Sequence, residues 1–310
     1  RAEAEMAKCE VIFARALRGH AKMGTDYPPA GSLFVVSTPI GHLEDITFRA
    51  VRILGQVNLV AAEDTRHSRK LLSHYEISTP LISFHDHNKE QRTPELVARM
   101  KSGDSVALIT DAGTPSISDP GYFLVRGAIG AAIPVVPIPG PSAVVAALSI
   151  SGLPTDSFLF VGFVPRKAAR RDQLLRNVKY QSATLVFYES PRRMSGLLGS
   201  LVEVLGDRKA VMARELTKVY EEVLRGPLTT ILENIAGRES VRGECTLLIE
   251  GYEAPGATEH EVIKKHLFRT GSEETGASVS DLVKTVAKRH DIPRKAVYDE
   301  ALRLHRDGKI

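Results

Sequence analysis

Polar side chains in this sequence gather where short apolar runs stop. Leu33-Phe34-Val35-Val36 gives way to Ser37-Thr38-Pro39-Ile40-Gly41, and the run from Val57 to Ala62 to Glu63-Asp64-Thr65-Arg66. The run from Leu81 to Phe84 ends in His85-Asp86-His87-Asn88, and Val106 to Ile109 leads into the Gly/Pro-rich stretch from Asp111 to Gly121. A carboxylate pair such as Glu63-Asp64 can take a proton as a general base, or cap the helix that follows. The imidazoles of His85 and His87 suit proton transfer near neutral pH. They are also two potential metal ligands, but the spacing identifies no third, and no metal is expected. Glycines in Asp111-Ala112-Gly113-Thr114 and Pro139-Gly140-Pro141-Ser142-Ala143 let backbone approach a ligand closely, while the prolines hold the loop shape. Neither segment is a dinucleotide fingerprint or a P-loop. There is no nucleophile elbow, and Ser142 has no assignable His-Asp partner, so serine hydrolysis is a poor fit.

Positioning these groups requires strands that deliver them to one edge. The apolar runs are short and continuous, and helical patterns separate them: Phe48 to Leu54 after the cap candidate Thr47, Ser68 to Tyr75, and Pro94 to Lys101. Strands alternating with helices predict a parallel sheet covered on both faces, with ligand loops at the strands' carboxyl ends. Val135 to Ile138 supplies a further strand of this first α/β domain, residues 30–152. A second α/β domain, residues 153–252, follows Gly152-Leu153-Pro154. Its expected strands are Phe158 to Val164, Thr184 to Tyr188, Ala210 to Ala213 and Cys245 to Glu250, and its expected helices span 166–180 and 191–205. Residues 253–310 read as a linker followed by helices, in which Ile292-Pro293 separates two short apolar stripes in a helix-turn-helix pattern. Residues 1–29 carry charges throughout and read as an extension outside the fold, possessing no secretory signal.

Composition narrows the function classes. The 310 residues are 43% hydrophobic and 25% charged, which excludes a disordered or fibrous protein. No apolar run reaches the roughly 18–20 residues of a membrane helix. Cys9 and Cys245 form neither a disulfide framework nor a CxxC pair, as expected of a reduced cytoplasmic protein. A net charge of +4 permits a nucleic-acid partner without demanding one. Basic residues recur in loops, at Arg166-Lys167, Arg170-Arg171, Arg192-Arg193, Arg214 and Lys218. They are either solvated surface or contacts to phosphate.

Several strings occur together and in order. They are Thr38-Pro39-Ile40-Gly41, Ala62-Glu63-Asp64-Thr65-Arg66, His85-Asp86-His87-Asn88, Asp111-Ala112-Gly113-Thr114-Pro115, Asp119-Pro120-Gly121, Pro139-Gly140-Pro141, Phe187-Tyr188-Glu189-Ser190-Pro191, Ala213-Arg214-Glu215-Leu216-Thr217-Lys218 and Gly243-Glu244. Over about residues 31–252 the chain resembles the ribosomal-RNA-modifying branch of the tetrapyrrole methylase superfamily. The resemblance implies an open, mostly parallel sheet, a second mixed α/β domain, a small helical C-terminal domain, and S-adenosylmethionine bound between the two α/β domains. It also implies a homodimer that 2′-O-methylates cytidine 1402 of 16S rRNA in the 30S subunit. By the same analogy Pro39, Gly41, Asp111, Ala112, Gly113, Thr114, Ile117, Ser142, Ala143, Tyr188, Glu189, Ala213, Arg214, Gly243 and Glu244 surround the cofactor. Thr114 stands where many tetrapyrrole-acting relatives carry Asp, which favours the RNA branch. His42 and Arg192 also depart from the residues usual in the pattern.

A ribose hydroxyl is a weak nucleophile and needs a base or a nearby positive charge. Glu63 or Asp64 is the candidate base, and Arg66, Arg214 or Lys218 the electrostatic partner, with His85 and His87 in reserve. Arg166, Lys167, Arg170, Arg171, Arg192 and Arg193 are the expected RNA contacts. A porphyrinoid methyltransferase and a non-catalytic RNA-binding protein are the alternatives.

Overall fold

The computed structural model describes residues 30–238, 243–253, 263–268, 270, 278–290 and 292–306. The extension at 1–29, with Cys9, and most of the linker after Glu253 lie outside the described residues.

The first sheet holds β1 (Leu33–Val36), β2 (Leu59–Ala62), β3 (Leu81–Ser83), β4 (Val106–Ile109) and β5 (Val135–Ile138) in the order β3-β2-β4-β1-β5. Every pairing is parallel. The connecting helices are α1 (Phe48–Gln56), α2 (Thr65–His74), α3 (Lys89–Lys101) and α4 (Gly121–Gly130). Successive strand side chains point to opposite faces. Phe34, Val36, Val60 and Ala62 pack with α1 and α2 on one face, while Leu33, Leu59, Ala61 and Leu108 pack with α3 and α4 on the other. Burial on both faces explains why these strands read as unbroken apolar runs.

Local chemistry sets the boundaries. Thr47 caps α1 by accepting from the Ala50 N–H, and the Val57 N–H closes that helix on the Ile53 carbonyl, so β2 begins at Leu59, two residues later than the run predicts. Helix α3 starts at Lys89, before Pro94. The proline removes one hydrogen bond, and the carbonyl of exposed Glu90 that would have received it is next to solvent. Helix α4 and the next helix, α5 (Ala143–Ser151), carry weak periodicity. One holds three glycines, and the other is apolar nearly all round, so neither shows a contrast between faces.

The second sheet runs β6-β7-β10-β8-β9, with β6 (Phe158–Phe163), β7 (Thr184–Glu189), β8 (Lys209–Arg214), β9 (Glu222–Pro227) and β10 (Cys245–Ile249). Only β6 and β7 pair in parallel; the rest are antiparallel. Leu185, Phe187, Ala210, Met212, Leu247 and Ile249 face α6 (Ala168–Val178), α7 (Pro191–Leu205) and α8 (Leu228–Ala236). The alternate residues Val186, Val211, Ala213 and Leu248 face Val144, Ala147 and Leu148 of α5, together with Ile40. Helix α5 therefore joins the second sheet to the first, and the described residues up to Gly251 form one compact unit. The sequence reading had no place for β9 or α8, because β9 is an edge strand whose Arg, Gly and Pro obscure the alternation.

The helical unit begins at Tyr252. Residues 263–268, α9 (Val279–His290) and α10 (Arg294–Arg306) bury Ile263, Leu267, Leu282, Val283, Val286, Val297, Ala301 and Leu304 against one another. Pro293 lies between α9 and α10, as the break in the apolar stripe predicts.

Candidate active site

Strands β4 and β1 are neighbours from which the chain departs in opposite directions along the sheet, the usual position for a ligand crevice. The loops after them are pinned together there. The Thr38 N–H donates to the Gly113 carbonyl (2.9 Å) and the Gly113 N–H to Thr38 (3.0 Å). Gly113 has a φ of +85°, which glycine adopts without strain. Thr114 extends the tie: its hydroxyl is 3.0 Å from that of Ser37 and donates to the Pro141 carbonyl at 3.2 Å. One side chain thus links the loops after β1, β4 and β5.

These loops form one wall of a cleft of about 380 Å³, and the second sheet forms the other. Of the residues expected around a cofactor, Asp111, Ala112, Gly113, Thr114, Ile117, Ser142, Ala143, Tyr188, Glu189, Ala213, Gly243 and Glu244 line it. Pro39, Gly41 and Arg214 do not. Ile40 projects into the cleft between the first two, and Gly41 serves packing instead. A Cβ on Gly41 would lie 2.5 Å from Lys218 Cγ and 2.8 Å from the Leu216 carbonyl. The Arg214 side chain pairs with Glu222 (3.0 Å), which also binds Arg238 (2.7 Å). Thr110, Ser118, Asp119, Phe163, Leu216, Cys245 and Thr246 line the cleft without having been foreseen as site residues. Asp119 was legible as part of Asp119-Pro120-Gly121. Phe163 carried no signal, because it is the last residue of an ordinary strand.

Among the proposed catalytic groups, Glu63 alone lines the cleft. Its Oε2 accepts from the Thr110 hydroxyl at 2.7 Å. Burial pushes its pKa above the usual carboxylate range, with Asp111 and Asp119 adding to the shift against the hydrogen bond from Thr110. Asp64 caps α2, accepting from the Arg66 N–H (2.8 Å) and the His67 N–H (3.4 Å). The hydrogen bond from Arg66 holds its pKa below normal. A capped, acidic carboxylate is a poorer base than Glu63. His85 is tied to Asn88 at the start of α3, its N–H donating to Asn88 Oδ1 at 2.9 Å. Lys218 is held by Glu215 (2.8 Å) and Glu244 (3.0 Å), so its charge is largely answered within the protein. Arg66 is outside the cleft, with its side chain 92% exposed.

The loops that close the cleft hold unusual backbone. Ser116, Ser118, Glu215 and Thr217 all have φ between +52° and +73°. Non-glycine residues in this region are strained and concentrate at ligand sites. Asp119 Oδ1 secures the first loop by accepting from the Ser116 N–H (2.9 Å) and the Gly121 N–H (2.7 Å). Glu215 secures the second, accepting from the Glu244 N–H at 3.0 Å.

The cleft's charge is one-sided. Glu63, Asp111, Asp119, Glu189 and Glu244 line it, and its lining includes no Lys, Arg or His. Glu189 is 2% exposed and paired with Arg193 at 3.0 Å. Ile40, Ile117, Phe163, Ala213 and Leu216 supply apolar surface. Such a site repels phosphates and suits a cationic ligand with a flat apolar portion. S-adenosylmethionine, with its sulfonium and adenine, has that chemistry, so the residues present fit it.

Of the expected RNA contacts, Arg166, Lys167, Arg170 and Arg192 are exposed. Arg171 pairs with Asp172 (3.1 Å), and Arg193 is spent on Glu189 and the Val164 carbonyl. Among the described residues no group of three His, Cys, Asp or Glu side chains could hold a metal ion. Nor is any described helix long and apolar enough to cross a membrane.

This fold and cleft are those of a methylase class. The family model of the tetrapyrrole (corrin/porphyrin) methylases matches residues 32–232. The chain is 44% identical over 273 residues to ribosomal RNA small subunit methyltransferase I of Halalkalibacterium halodurans, covering 87% of this chain and 94% of that one. It is 49% identical over 232 residues to the protein of the same name from Pseudomonas aeruginosa, covering 74% and 82%. A solved structure of uroporphyrin-III C-methyltransferase from Thermus thermophilus, complexed with S-adenosylhomocysteine, superposes with a TM-score of 0.50 at 19% identity, covering 70% of this chain and 96% of that one. The chain belongs to the ribosomal RNA small subunit methyltransferase I family within the tetrapyrrole methylases.

Proposed function

We propose that the cleft binds S-adenosylmethionine and that the protein methylates the ribose 2′-oxygen of cytidine 1402 in 16S rRNA, acting on the 30S subunit in the cytoplasm. Family membership supports the coarser statement, that it is an S-adenosylmethionine-dependent methyltransferase of small-subunit rRNA. The observation that carries the reading is a cleft lined by five carboxylates and by no Lys, Arg or His, in which Glu63 accepts from the Thr110 hydroxyl and has its pKa raised by burial.

The cofactor supplies an electrophilic methyl group on a sulfonium. The protein's part is alignment, exclusion of water and proton removal. In this reading the Asp111–Thr114 loop, Ile117, Ser142-Ala143, Tyr188, Ala213 and Gly243-Glu244 hold the cofactor. Glu63 takes the 2′-hydroxyl proton. Thr110 positions Glu63, and Thr110 is itself fixed because its carbonyl accepts from the Thr38 hydroxyl at 3.0 Å. Lys218 and Arg214 act as positioning residues, since both are paired to carboxylates. Arg166, Lys167, Arg170 and Arg192 meet the RNA at the edge of the second domain. The domain limits 30–152, 153–252 and 253–310 and the homodimer belong to the same proposal. A molar mass of twice the chain's in solution would agree with the dimer.

The test is transfer of labelled methyl from S-adenosylmethionine to 30S subunits lacking this modification, with the labelled nucleoside identified. Label on the 2′-oxygen of cytidine is expected. Label on a tetrapyrrole instead, or no transfer by folded protein, overturns the proposal.

A further inference from the structure

Helix α2 begins two residues after Glu63 and carries basic residues along one face. Ser68, Leu71 and Leu72 are buried against the sheet, while Arg66, Arg69, Lys70 and Ser73 are exposed. Together with Thr65 they line a groove separate from the cleft. The helix contains no acidic residue. Its cations lie in the first two turns, near the positive end of the helix dipole, where an anion is the favoured neighbour. This arrangement violates a local stability rule, and such violations concentrate at functional surfaces. Among the described residues Arg69 and Lys70 have no acidic partner, and Arg66 has only Asp64, 3.7 Å away. The first backbone donors of α2 are already taken by Asp64, so recognition here falls to the side chains.

The groove is the electrostatic opposite of the cleft it adjoins. An RNA strand presents a phosphate at every residue, and a cleft lined by five carboxylates, only Glu189 and Glu244 of them answered by a cation, disfavours phosphates. A polyanion whose ribose enters that cleft must be held by charges outside it. Positions 66, 69 and 70 are three and four residues apart on a helix, so their Cβ atoms are about 5–6 Å apart, close enough to serve neighbouring phosphates of one strand. Helix α2 follows a parallel strand, so this end of it lies at the carboxyl edge of the sheet, the edge that forms the cleft.

We propose that Arg66, Arg69 and Lys70 form a phosphate-binding groove that holds the RNA strand next to the nucleotide in the cleft. The inference rests on the rRNA reading above. It adds to the expected contacts a basic face on the first domain, apart from the cluster of Arg166, Lys167 and Arg170 at the start of α6 in the second.

The test uses the full chain and 30S subunits. The double variant Arg69→Gln/Lys70→Gln replaces two exposed side chains, and its thermal melt and S-adenosylmethionine affinity should match those of the parent protein. Its affinity for 30S subunits should fall about 2- to 30-fold. The slope of log affinity against log salt should become shallower by about 1.4, the value for two lost contacts to a single strand. Lys101→Gln, at the far end of α3 and the opposite edge of the sheet, serves as the control for net charge. An unchanged affinity and slope, with normal methylation by the parent protein, overturns the groove and leaves the rRNA reading standing. A loss in Lys101→Gln of half the double variant's or more, in log affinity, also overturns it, because one charge removed elsewhere would then account for half the effect of two. A parent protein that neither binds nor methylates 30S subunits removes both proposals together.

Discussion

The cleft and the α2 groove adjoin in the chain and differ in almost every physical respect. The cleft is partly enclosed, acidic and built from loops of both sheets. The groove is open, basic and built from a single helix. The cleft spends effort on holding its groups still: Thr38 and Gly113 exchange hydrogen bonds, Thr114 bridges three loops, and four non-glycine residues are held at positive φ. The groove leaves Arg69 and Lys70 free of acidic partners among the described residues, and Arg66 has only the distant Asp64. On the proposed reading the difference separates two tasks. Chemistry needs fixed geometry in a shielded place, whereas holding a polyanion needs charge at a distance, which solvent weakens but does not abolish.

The contrast can be broken most severely at Glu63. Glu63→Gln keeps the shape and removes the base, so the single-turnover methylation rate should fall by about 10²–10⁴-fold with cofactor affinity retained. An unaffected rate would leave the cleft as a binding site without side-chain base catalysis. The pH dependence carries a sign. Only the ionised carboxylate accepts a proton, and burial raises its pKa, so the rate should rise with pH through a midpoint above 4.5, and Glu63→Gln should flatten that limb.

Gly243→Ala tests whether fixed geometry matters in the cleft. Gly243 has a φ of +96°, and a Cβ there would strike the Glu215 side chain that holds Lys218. Strain of about 1–3 kcal/mol is expected, read as weakened cofactor binding and a lowered melting temperature. Asp64→Ala separates the neighbours Glu63 and Asp64. Loss of the α2 cap should cost about 0.5–2 kcal/mol of stability while the methylation rate changes far less than in Glu63→Gln.

Acid stability probes the scaffold behind the cleft. The hydrogen bond from Arg238, with help from Arg214, lowers the pKa of Glu222 to about 2. Its stabilising contribution is therefore complete above the ordinary carboxylate value of 4.5 and is lost as pH falls from there toward 2. Glu222→Gln should lower the melting temperature at neutral pH and reduce the decline across that acid window. The smallest effect concerns Cys245, which lines the cleft wall. Burial pushes its thiol pKa up to about 12, so native protein should resist alkylation at Cys245 at pH 8, as peptide mass spectrometry would show.

Much of the first sheet is readable without coordinates. Leu33-Phe34-Val35-Val36 and Val106-Ala107-Leu108-Ile109 are strands because they are β-branched or apolar throughout and closed by Pro or Gly, and their polar followers lie at one edge because the sheet is parallel. Thr47 announces α1 because a short hydroxyl side chain can satisfy one of the helix's free first-turn N–H groups, here that of Ala50. The ordered strings from Thr38-Pro39 to Gly243-Glu244 also contain many of the residues that line the cleft. Helix α5 and strand β9 are obscure for opposite reasons, the one apolar on all sides and the other broken by polar residues at a sheet edge.

The roles of individual charges were decided only by the tertiary structure. In sequence Glu63 and Asp64 are equivalent, and Arg193, Arg214 and Lys218 all read as free cations. Folding buries Glu63 beside Thr110 and turns Asp64 to the helix end. It also pairs each of the three cations with a carboxylate distant in the chain or across a turn. Patterns of hydrophobicity repeat locally, every two residues or every three to four, so most elements and their order, though not α4, α5, α8 or β9, can be read from the chain. A side chain's charge is set by the dielectric and the partners around it, and those arrive from other parts of the chain, so only the tertiary structure could separate the half-buried Glu63 from the capping Asp64 and the free cations from the paired ones.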